Sequence, residues 1–196
     1  MSSKGSEIRV ADKIAYARVC EEAVAHINSE PFSDAVRALA LRVDKGGVKK
    51  CWLACEIQRL VLDNVEYDFS LGPNFNRDPV ETWNKGGKCV DQSVLLASML
   101  KAAGFRCRLV TVHHGKEGHM FVEVYLDAEI EPLKESINEY VDQLEIVTVL
   151  QQYGYTESER SGYWLMTDPT CSLFVGDAAG LHQDGYTSGV FTSREV

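Results

Sequence analysis

Features that would assign this chain to other classes of protein are absent from its sequence. No apolar run approaches the roughly 18 residues that a membrane span requires, so no transmembrane segment is predicted. The segment from Met1 to Glu7 is polar and lacks the apolar core of a secretory signal. Acidic residues outnumber basic ones by 29 to 20, which disfavours binding to nucleic acid or to an anionic membrane. We therefore expect a cytoplasmic protein that binds neither nucleic acid nor a membrane. Its oligomeric state stays open.

The six cysteines do not form the dense pattern of a small disulfide-rich domain; they stand at positions 20, 51, 55, 89, 107 and 171. In a reducing cytoplasm we expect free thiols. Cys51 and Cys55 would share one helix face and could hold a metal ion, but a structural zinc site needs four ligands. No second well-spaced pair accompanies them, so packing of both thiols in the core is the favoured interpretation. The sequence predicts no metal and no cofactor.

The chain suits a single domain, and 45% of its 196 residues are hydrophobic, which suffices for an ordinary core. Helical spacing of apolar residues predicts helices over 8–28, 34–43 (with Ser33 as N-cap) and 48–64. Residues 65–88 are rich in turn formers and predict a long irregular loop. A strong helical pattern then begins at Cys89, and Gly104 is its expected stop.

After Gly104 the hydrophobic pattern changes from helical to alternating. The predicted elements are strands over 106–113 and 119–126 joined by a short loop at 114–118, a helix over 129–152, and a strand over 162–168. The tail after Pro169 contains several glycines and is expected to be mostly loop. Because the helices come first and the strands later, the α+β class is predicted.

Cys89 stands where a nucleophilic thiol would be expected. It follows Gly86 and Gly87 and begins a helix, so free backbone N–H groups and the helix dipole would favour the thiolate. The two glycines allow close approach of a substrate, and the same N–H groups could stabilise an oxyanion. Lys88 adds positive charge nearby. A lone cysteine is otherwise most often a small buried hydrophobic residue.

His119 and Asp168 supply the other two groups of a nucleophile, base and orienting carboxylate. His119 opens one predicted strand and Asp168 closes another, so both could lie beside the helix that begins at Cys89. The imidazole would exchange protons with the thiol, and the carboxylate would hold the ring in one tautomer. His113 and His114 lie near the same loop and compete for the role of base. Spacing alone leaves these alternatives open.

Three sequence blocks together resemble the core of the transglutaminase-like superfamily. They are Gly87-x-Cys89-x-Asp91-x-Ser93-x-Leu95-Leu96 with Leu100-x-x-x-Gly104-Phe105-x-Cys107-Arg108, then His119-x-Phe121-Val122-Glu123-Val124-Tyr125, and then Trp164-x-x-x-Asp168-Pro169-Thr170. Their order and spacing match the Cys, His and Asp blocks of that family over roughly residues 50–172. The resemblance implies that Cys89, His119 and Asp168 are the catalytic residues, which act through a thioester acyl-enzyme.

The resemblance also implies a papain-like fold, in which the nucleophile helix packs on an antiparallel sheet. The expected organisation is one transglutaminase-like domain over 1–196, with a helical extension at 1–49, a catalytic core at 50–172 and a helical insertion at 129–152. In this family a second oxyanion donor is often a side chain upstream of the cysteine. The candidates are Trp83, Gln58 and Asn84, and Trp83 ranks first because its loop leads into Cys89.

One departure from the family concerns Met120-Phe121, which replaces the more usual small residue and tryptophan after the histidine. Amine transfer would need an acceptor site that excludes water, such as an apolar tunnel with aromatic walls on both sides of the cysteine. We therefore expect a thiol hydrolase, a cysteine protease or amidase, that cleaves a peptide or isopeptide amide in a peptide or protein substrate. The alternatives are a protein-glutamine amine acyltransferase and a non-catalytic binding module of the same fold.

Overall fold

The structure is a computed structural model, and it describes residues 10–44, 50–72, 77–114, 117–143, 155–157, 162–178 and 190–196. Within these residues the helices are α1 (Val10–Ala25), α2 (Ser33–Asp44), α3 (Lys50–Asn64), α4 (Pro79–Lys85), α5 (Cys89–Ala102) and α6 (Ile130–Gln143). The strands are β1 (Cys107–His114), β2 (Glu117–Leu126), β3 (Tyr155–Glu157), β4 (Tyr163–Thr167) and β5 (Val190–Glu195). Among the described helices, none combines the length and the apolar character needed to cross a bilayer.

The five strands form one antiparallel sheet in the order β3-β4-β2-β1-β5. The hairpin of β1 and β2 contains the pair Val112 and His119 near its turn. On the other side of β2, the last residue of β4, Thr167, pairs with Val122. Because β2 and β4 run in opposite directions, the beginning of β2 and the end of β4 lie side by side at the same end of the sheet. His119 and Asp168 are brought together there.

Helix α5 lies in the centre of the hydrophobic core. All of its residues from Cys89 to Leu100 are buried, as expected for a helix that is enclosed on every side. It packs on β2, where the Ser93 hydroxyl donates a hydrogen bond of 2.9 Å to the carbonyl oxygen of Met120. Helices α3 and α4 pack on its other sides. The N-terminus of α5 is thereby held against the beginning of β2.

The expected α+β architecture, with a nucleophile helix packed on an antiparallel sheet, is confirmed. The helix that was predicted to begin at Cys89 does so, and Gly104 follows its end with a φ of +76°, the left-handed conformation of a helix stop. The division into an extension, a core and an insertion stays a prediction. Of the helix predicted over 129–152, α6 accounts for the residues up to Gln143, and residues 144–152 lie outside the described part of the chain.

Two segments that were predicted as loop contain regular structure. Helix α4 forms within 65–88 because the Asp78 carboxylate accepts the N–H of Glu81 at 2.8 Å and Pro79 occupies the first turn. Asp and Pro also favour turns, which is why the helix start was read as part of a loop. In the tail, β5 pairs with β1 at the edge of the sheet, so the prediction of a tail that is mostly loop was wrong there.

The predicted N-cap of the second helix is also corrected. Ser33 is the first residue of α2 rather than the residue before it. Its hydroxyl donates to the carbonyl oxygen of Ser29 at 3.2 Å, a contact with the preceding turn. A short 3-10 turn, Glu30–Phe32, runs directly into α2 and explains the difference, because its own hydrogen bonds replace a side-chain cap.

Candidate active site

Cys89 is the first residue of α5, and local hydrogen bonds explain why the helix begins there. The Asp91 carboxylate accepts the backbone N–H of Lys88 at 3.0 Å, which closes the first turn. The same carboxylate accepts the backbone N–H of Arg77 at 3.1 Å, which ties the upstream segment to the helix. The thiol therefore stands at the positive end of the helix dipole, with 9% of Cys89 exposed.

The loop before Cys89 is held by main-chain pairing with the segment that contains Tyr67. The N–H of Gly87 donates to the carbonyl oxygen of Glu66 at 3.1 Å, and Tyr67 and Gly87 form a parallel bridge. Gly86 adopts a φ of +80°, and a Cβ there would stand 2.6 Å from the Glu66 carbonyl oxygen, so the position requires glycine. This pairing places the Tyr67 segment beside the nucleophile loop.

His119 lies between Cys89 and Asp168. Its Nε2 atom is hydrogen-bonded to Oδ2 of Asp168. A side-chain hydrogen bond also connects the ring to Cys89. Because Nε2 faces the carboxylate, Nδ1 is the ring nitrogen left for the thiol. The His119 side chain is 12% exposed and that of Asp168 is 0% exposed, so these hydrogen bonds are largely shielded from water.

The competing histidines lie elsewhere. His113 pairs with Gly118 in the hairpin, and the adjacent pair is Val112 with His119. Successive positions of a strand point to opposite faces, so His113 and His119 belong to different faces of the sheet. His113 is 5% exposed, and its ring covers Gly118 so closely that a Cβ there would stand 2.4 Å from it. The side chain of His114 is outside the described part of the structure.

The Asp168 carboxylate is held in position by its own turn. Its Oδ1 atom accepts the backbone N–H of Thr170 at 2.9 Å and the Thr170 hydroxyl at 2.6 Å. Its backbone carbonyl accepts the N–H of Ser172 at 3.0 Å. Because Oδ1 is occupied in this way, Oδ2 is directed at the imidazole. The turn fixes the carboxylate orientation before any substrate binds.

The pKa values of the three groups favour an ion pair. Burial would raise the pKa of the Cys89 thiol, but the hydrogen bond and the charge of His119 outweigh burial and lower it. Burial would lower the pKa of His119, whereas the Asp168 carboxylate raises it well above the usual value. Burial would raise the pKa of Asp168, and the charge of His119 lowers it instead. These directions favour thiolate, imidazolium and carboxylate together.

Tyr67 is a site residue that sequence reasoning missed. Its pKa is raised first by burial and then by the charge of Cys89, and a hydrogen bond from the Cys89 backbone N–H opposes that shift. The phenol oxygen therefore lies beside both the thiol and the backbone N–H of Cys89, which has no acceptor within the helix. The Tyr67 ring contacts Phe69 at 4.7 Å between centroids. The sequence feature that could have pointed to Tyr67 is the aromatic pair Tyr67 and Phe69, in a segment otherwise rich in turn formers.

Cys171 is the second group that sequence reasoning did not place in the site. Its Sγ atom donates to Oδ2 of Asp168 at 3.1 Å, so this oxygen is shared between Cys171 and His119. Burial raises the pKa of the Cys171 thiol to about 11, so near neutral pH it is a neutral donor. The only sequence signal was its position three residues after Asp168.

The three candidate oxyanion side chains have contacts away from the thiol. The Gln58 amide donates to the Ser172 carbonyl oxygen at 2.9 Å and accepts the Thr167 hydroxyl at 2.6 Å, so it supports the turn after Asp168. Trp83 lines a pocket with Leu60 and Met99. The exposed Asn84 amide donates to the Val80 carbonyl oxygen of its own helix at 2.8 Å.

Cys51 and Cys55 are packed into the core on α3, as the favoured interpretation predicted. Cys51 is 3% exposed, and its thiol lies 3.0 Å from the Ser136 hydroxyl. Cys55 is 1% exposed, and burial raises the pKa of its thiol. In the described part of the chain, three side chains that could ligate a metal ion come together: His119, Asp168 and Cys171. Neither Cys51 nor Cys55 belongs to this group.

The family model of the transglutaminase-like superfamily matches residues 37–141, more than half of the chain, and this range includes Cys89 and His119 but ends before Asp168. The sequence matches no curated protein. A crystal structure from Cytophaga hutchinsonii, provisionally named a cysteine protease, is similar to 97% of this chain at 15% identity and a TM-score of 0.46. The chain spans 54% of the length of that protein. This chain belongs to the transglutaminase-like superfamily.

Proposed function

We propose that this protein is a thiol hydrolase that cleaves a peptide or isopeptide amide, with Cys89, His119 and Asp168 as its catalytic residues. The observation that carries the proposal is the position of the His119 ring, which is hydrogen-bonded to Asp168 through Nε2 and to Cys89 on its other side. The thiol at the start of a helix, a base beside it and a carboxylate behind the base are what nucleophilic catalysis requires.

The reaction proceeds in two stages. The Cys89 thiolate attacks the amide carbonyl, and the C–N bond breaks as the His119 imidazolium gives its proton to the leaving amine. This leaves a thioester on Cys89 and a neutral imidazole. His119 then takes a proton from water as the water oxygen attacks the thioester carbonyl, which releases a carboxylic acid and restores the thiolate and the imidazolium. Asp168 holds the ring in one orientation and stabilises its charged form throughout.

The oxyanion of each tetrahedral intermediate needs donors beside the thiol. The backbone N–H of Cys89 is one, because the first turn of α5 has no intrahelical acceptor for it. The Tyr67 hydroxyl is the second that we propose, because it contacts both this N–H and the thiol. A substrate carbonyl that displaced the contact between them would accept from the N–H and from the phenol. Tyr67 takes the role that the sequence analysis had given to Trp83, Gln58 or Asn84.

Hydrolysis is proposed over amine transfer because aromatic walls on both sides of the thiol are missing among the described side chains. Phe121 is 2% exposed and packs into a small cluster beneath the sheet, so it cannot line an open acceptor tunnel. Trp83 lines a different pocket, together with Leu60 and Met99. Tyr67 supplies an aromatic surface on one side, with 38% of the residue exposed. Such a one-sided arrangement admits water to the thioester.

Thiol labelling provides the first test and needs no known substrate. Limiting iodoacetamide near neutral pH should modify Cys89 before the other five cysteines, although Cys171 is more exposed, because only the thiolate reacts. Mass spectrometry of the digested protein identifies the modified residue. Preferential modification of Cys171 or of a core cysteine would contradict the proposed nucleophile.

A peptide library then tests turnover. The wild type should release new termini or side-chain amines, and Cys89→Ala should release none above background. A reactive Cys89 without any turnover would instead support the binding module. Addition of a labelled primary amine separates the two reactions, since a hydrolase releases mainly the carboxylic acid. If most product carries the amine at modest acceptor concentration, the protein is an acyltransferase and the proposal of hydrolysis is wrong.

A further inference from the structure

We propose that His119, Asp168 and Cys171 form an inhibitory site for a zinc ion on the side of the imidazole that faces away from Cys89. One ligand atom from each of these residues lies within 4.8 Å of the other two. The mechanism needs only the first two residues and gives the Cys171 thiol no role. A thiol placed against a histidine and a carboxylate completes a set of metal-ligating groups.

The chemistry of the three groups selects zinc. Imidazole nitrogen, thiolate sulfur and carboxylate oxygen are its usual protein ligands, and a sulfur ligand disfavours magnesium and calcium. Ligand atoms around a tetrahedral zinc stand about 3.5 Å apart, as the bond lengths of 2.0–2.3 Å imply. The Sγ atom of Cys171 and Oδ2 of Asp168 are 3.1 Å apart, and all three ligand atoms lie within 4.8 Å of one another, so short side-chain shifts bring them to that separation. The contact between His119 and Asp168 must lengthen by about an ångström to admit the ion.

The ligands are held in place without the ion. Thr170 binds Oδ1 of Asp168, which leaves Oδ2 for the ion. The Gln58 amide binds the Ser172 carbonyl oxygen at 2.9 Å and so supports the turn that carries Cys171. His119 is anchored in β2. Cys171 is partly exposed, which gives the ion a path from solvent. A preformed arrangement of this kind loses little conformational freedom on binding.

Cys89 is not a ligand of this site. Nε2 of His119 faces Oδ2 of Asp168, and the Cys171 thiol bonds the same oxygen, so the other ring nitrogen is the one left for Cys89. Binding forms a Zn–N, a Zn–O and a Zn–S bond, and water completes the tetrahedron. The proton between His119 and Asp168 and the thiol proton of Cys171 leave to solvent, and no oxidant or reductant is needed.

Inhibition follows from the loss of the Nε2 proton site. An imidazole that holds zinc at Nε2 keeps its other proton on Nδ1 and cannot become the imidazolium that stabilises the Cys89 thiolate. The carboxylate is also withdrawn from its orienting role. This consequence rests on the proposed role of His119 as base, whereas the binding of zinc does not. A chelator should then leave activity unchanged or raise it.

The binding test uses titration calorimetry with Zn²⁺ on the wild type, Cys89→Ala, Cys171→Ser and Cys51→Ala. Serine keeps a hydroxyl that can bond Asp168 but removes the sulfur ligand. Cys51→Ala is the matched control, because it removes a buried thiol from the other candidate pair. We expect the wild type, Cys89→Ala and Cys51→Ala to bind one zinc ion per chain with similar affinity. The affinity of Cys171→Ser should be lower by at least about 100-fold.

The outcomes separate the site from the proposed function. Equal affinity in Cys171→Ser and wild type, weak binding in Cys51→Ala or Cys89→Ala, or no binding in any protein would each overturn the zinc site. The second measurement is iodoacetamide labelling of Cys89, which zinc should slow at least about tenfold in the wild type and not in Cys171→Ser. A Cys89 that is unreactive even without zinc would refute the proposed function, while the calorimetry would still decide on the site. Labelling that stays fast with zinc bound would refute the inhibitory role.

Discussion

Cys89 on α5 and Cys55 on α3 are both nearly inaccessible to solvent, yet the pKa values of their thiols are displaced in opposite directions. Burial raises the pKa of Cys55, and the backbone hydrogen bond that opposes it is too weak to matter. Burial acts on Cys89 in the same sense, but His119 outweighs it. The comparison indicates that enclosure in the core by itself disfavours the thiolate, and that a charged partner reverses this effect.

Position along the helix reinforces the contrast. Cys89 is the first residue of its helix, where backbone N–H groups have no intrahelical acceptor. Cys55 lies in the middle of Lys50–Asn64, where those groups are used by the helix itself. The Cys89 thiol also accepts a hydrogen bond from the Met120 backbone. The thiolate is therefore favoured more at the single cysteine that begins α5 than at either of the two cysteines on one face of α3.

Removal of the His119 imidazole should change turnover and the contrast between Cys89 and Cys55 more than any other substitution. His119→Ala takes away the proposed base and should lower turnover by about 10²–10⁴-fold. It should also make Cys89 resemble Cys55, because the group that lowers the thiol pKa is gone. Labelling that is already fast near neutral pH in the wild type should become fast only at alkaline pH in the variant. Unchanged pH dependence would mean that the helix terminus, rather than His119, activates the thiol.

Asp168→Asn should produce a smaller loss. Asp168 raises the pKa of His119, so the amide variant should have a lower His119 pKa and a less stable imidazolium. We expect turnover to fall at least about tenfold, because the amide also favours the wrong tautomer. The alkaline limb of the pH–rate profile should move to lower pH, since the imidazolium is lost earlier. An unchanged alkaline limb together with full activity would remove Asp168 from the mechanism.

Tyr67→Phe should have a still smaller effect on turnover. The variant keeps the ring against Phe69 but loses the hydroxyl beside the Cys89 N–H. Removal of one oxyanion donor typically costs about 10²–10³ in kcat. Tyr67 is 38% exposed, so water can replace part of the contact, and we expect a loss of about fivefold in kcat with little change in KM. A change confined to KM would instead assign Tyr67 to substrate binding.

Local signals in the sequence were sufficient to predict α5 and its start at Cys89. Two glycines, a cysteine and an apolar helical pattern that ends at Gly104 predicted α5, because capping and periodicity act within a few residues. The hairpin that carries His119 could also be predicted, since its strands are adjacent in the chain. The direct contact between His119 and Asp168 joins residues 49 apart in sequence, and only the order of motif blocks in the family indicated it.

There is a physical reason why the groups around these residues could not be predicted from the sequence. Tyr67 reaches the thiol through main-chain pairing with Gly87, and such pairing depends on how two loops lie in space. The Gln58 amide was proposed as an oxyanion donor because it precedes Cys89, but burial forces it to satisfy its hydrogen bonds with the turn after Asp168. Strand β5 was missed because a short edge strand gains its stability from pairing with β1 rather than from its own pattern.

The smallest expected effect comes from the inert thiols and concerns stability rather than turnover. Cys51→Ala removes a buried sulfur and its contact with the Ser136 hydroxyl at 3.0 Å. That hydroxyl keeps a partner, because the Trp52 indole N–H donates to it at 3.0 Å. No polar group is therefore left buried without a hydrogen bond, and the cost is limited to a small cavity. We expect the free energy of unfolding to fall by about 1 kcal/mol, measured by urea denaturation with an unchanged slope.

The same variant should keep the turnover and the Cys89 labelling rate of the wild type, because α3 and α6 are joined at Ser136, away from the beginning of β2. A matched variant, Cys55→Ser, should be destabilised more, by about 2 kcal/mol, since a hydroxyl costs more to bury than a thiol and the hydrogen bond from the Val175 backbone satisfies only part of it. If either substitution slowed the labelling of Cys89 by more than about threefold while the protein remained folded, the two thiol regions would be coupled. The contrast between an inert core pair and an activated helix terminus would then no longer hold.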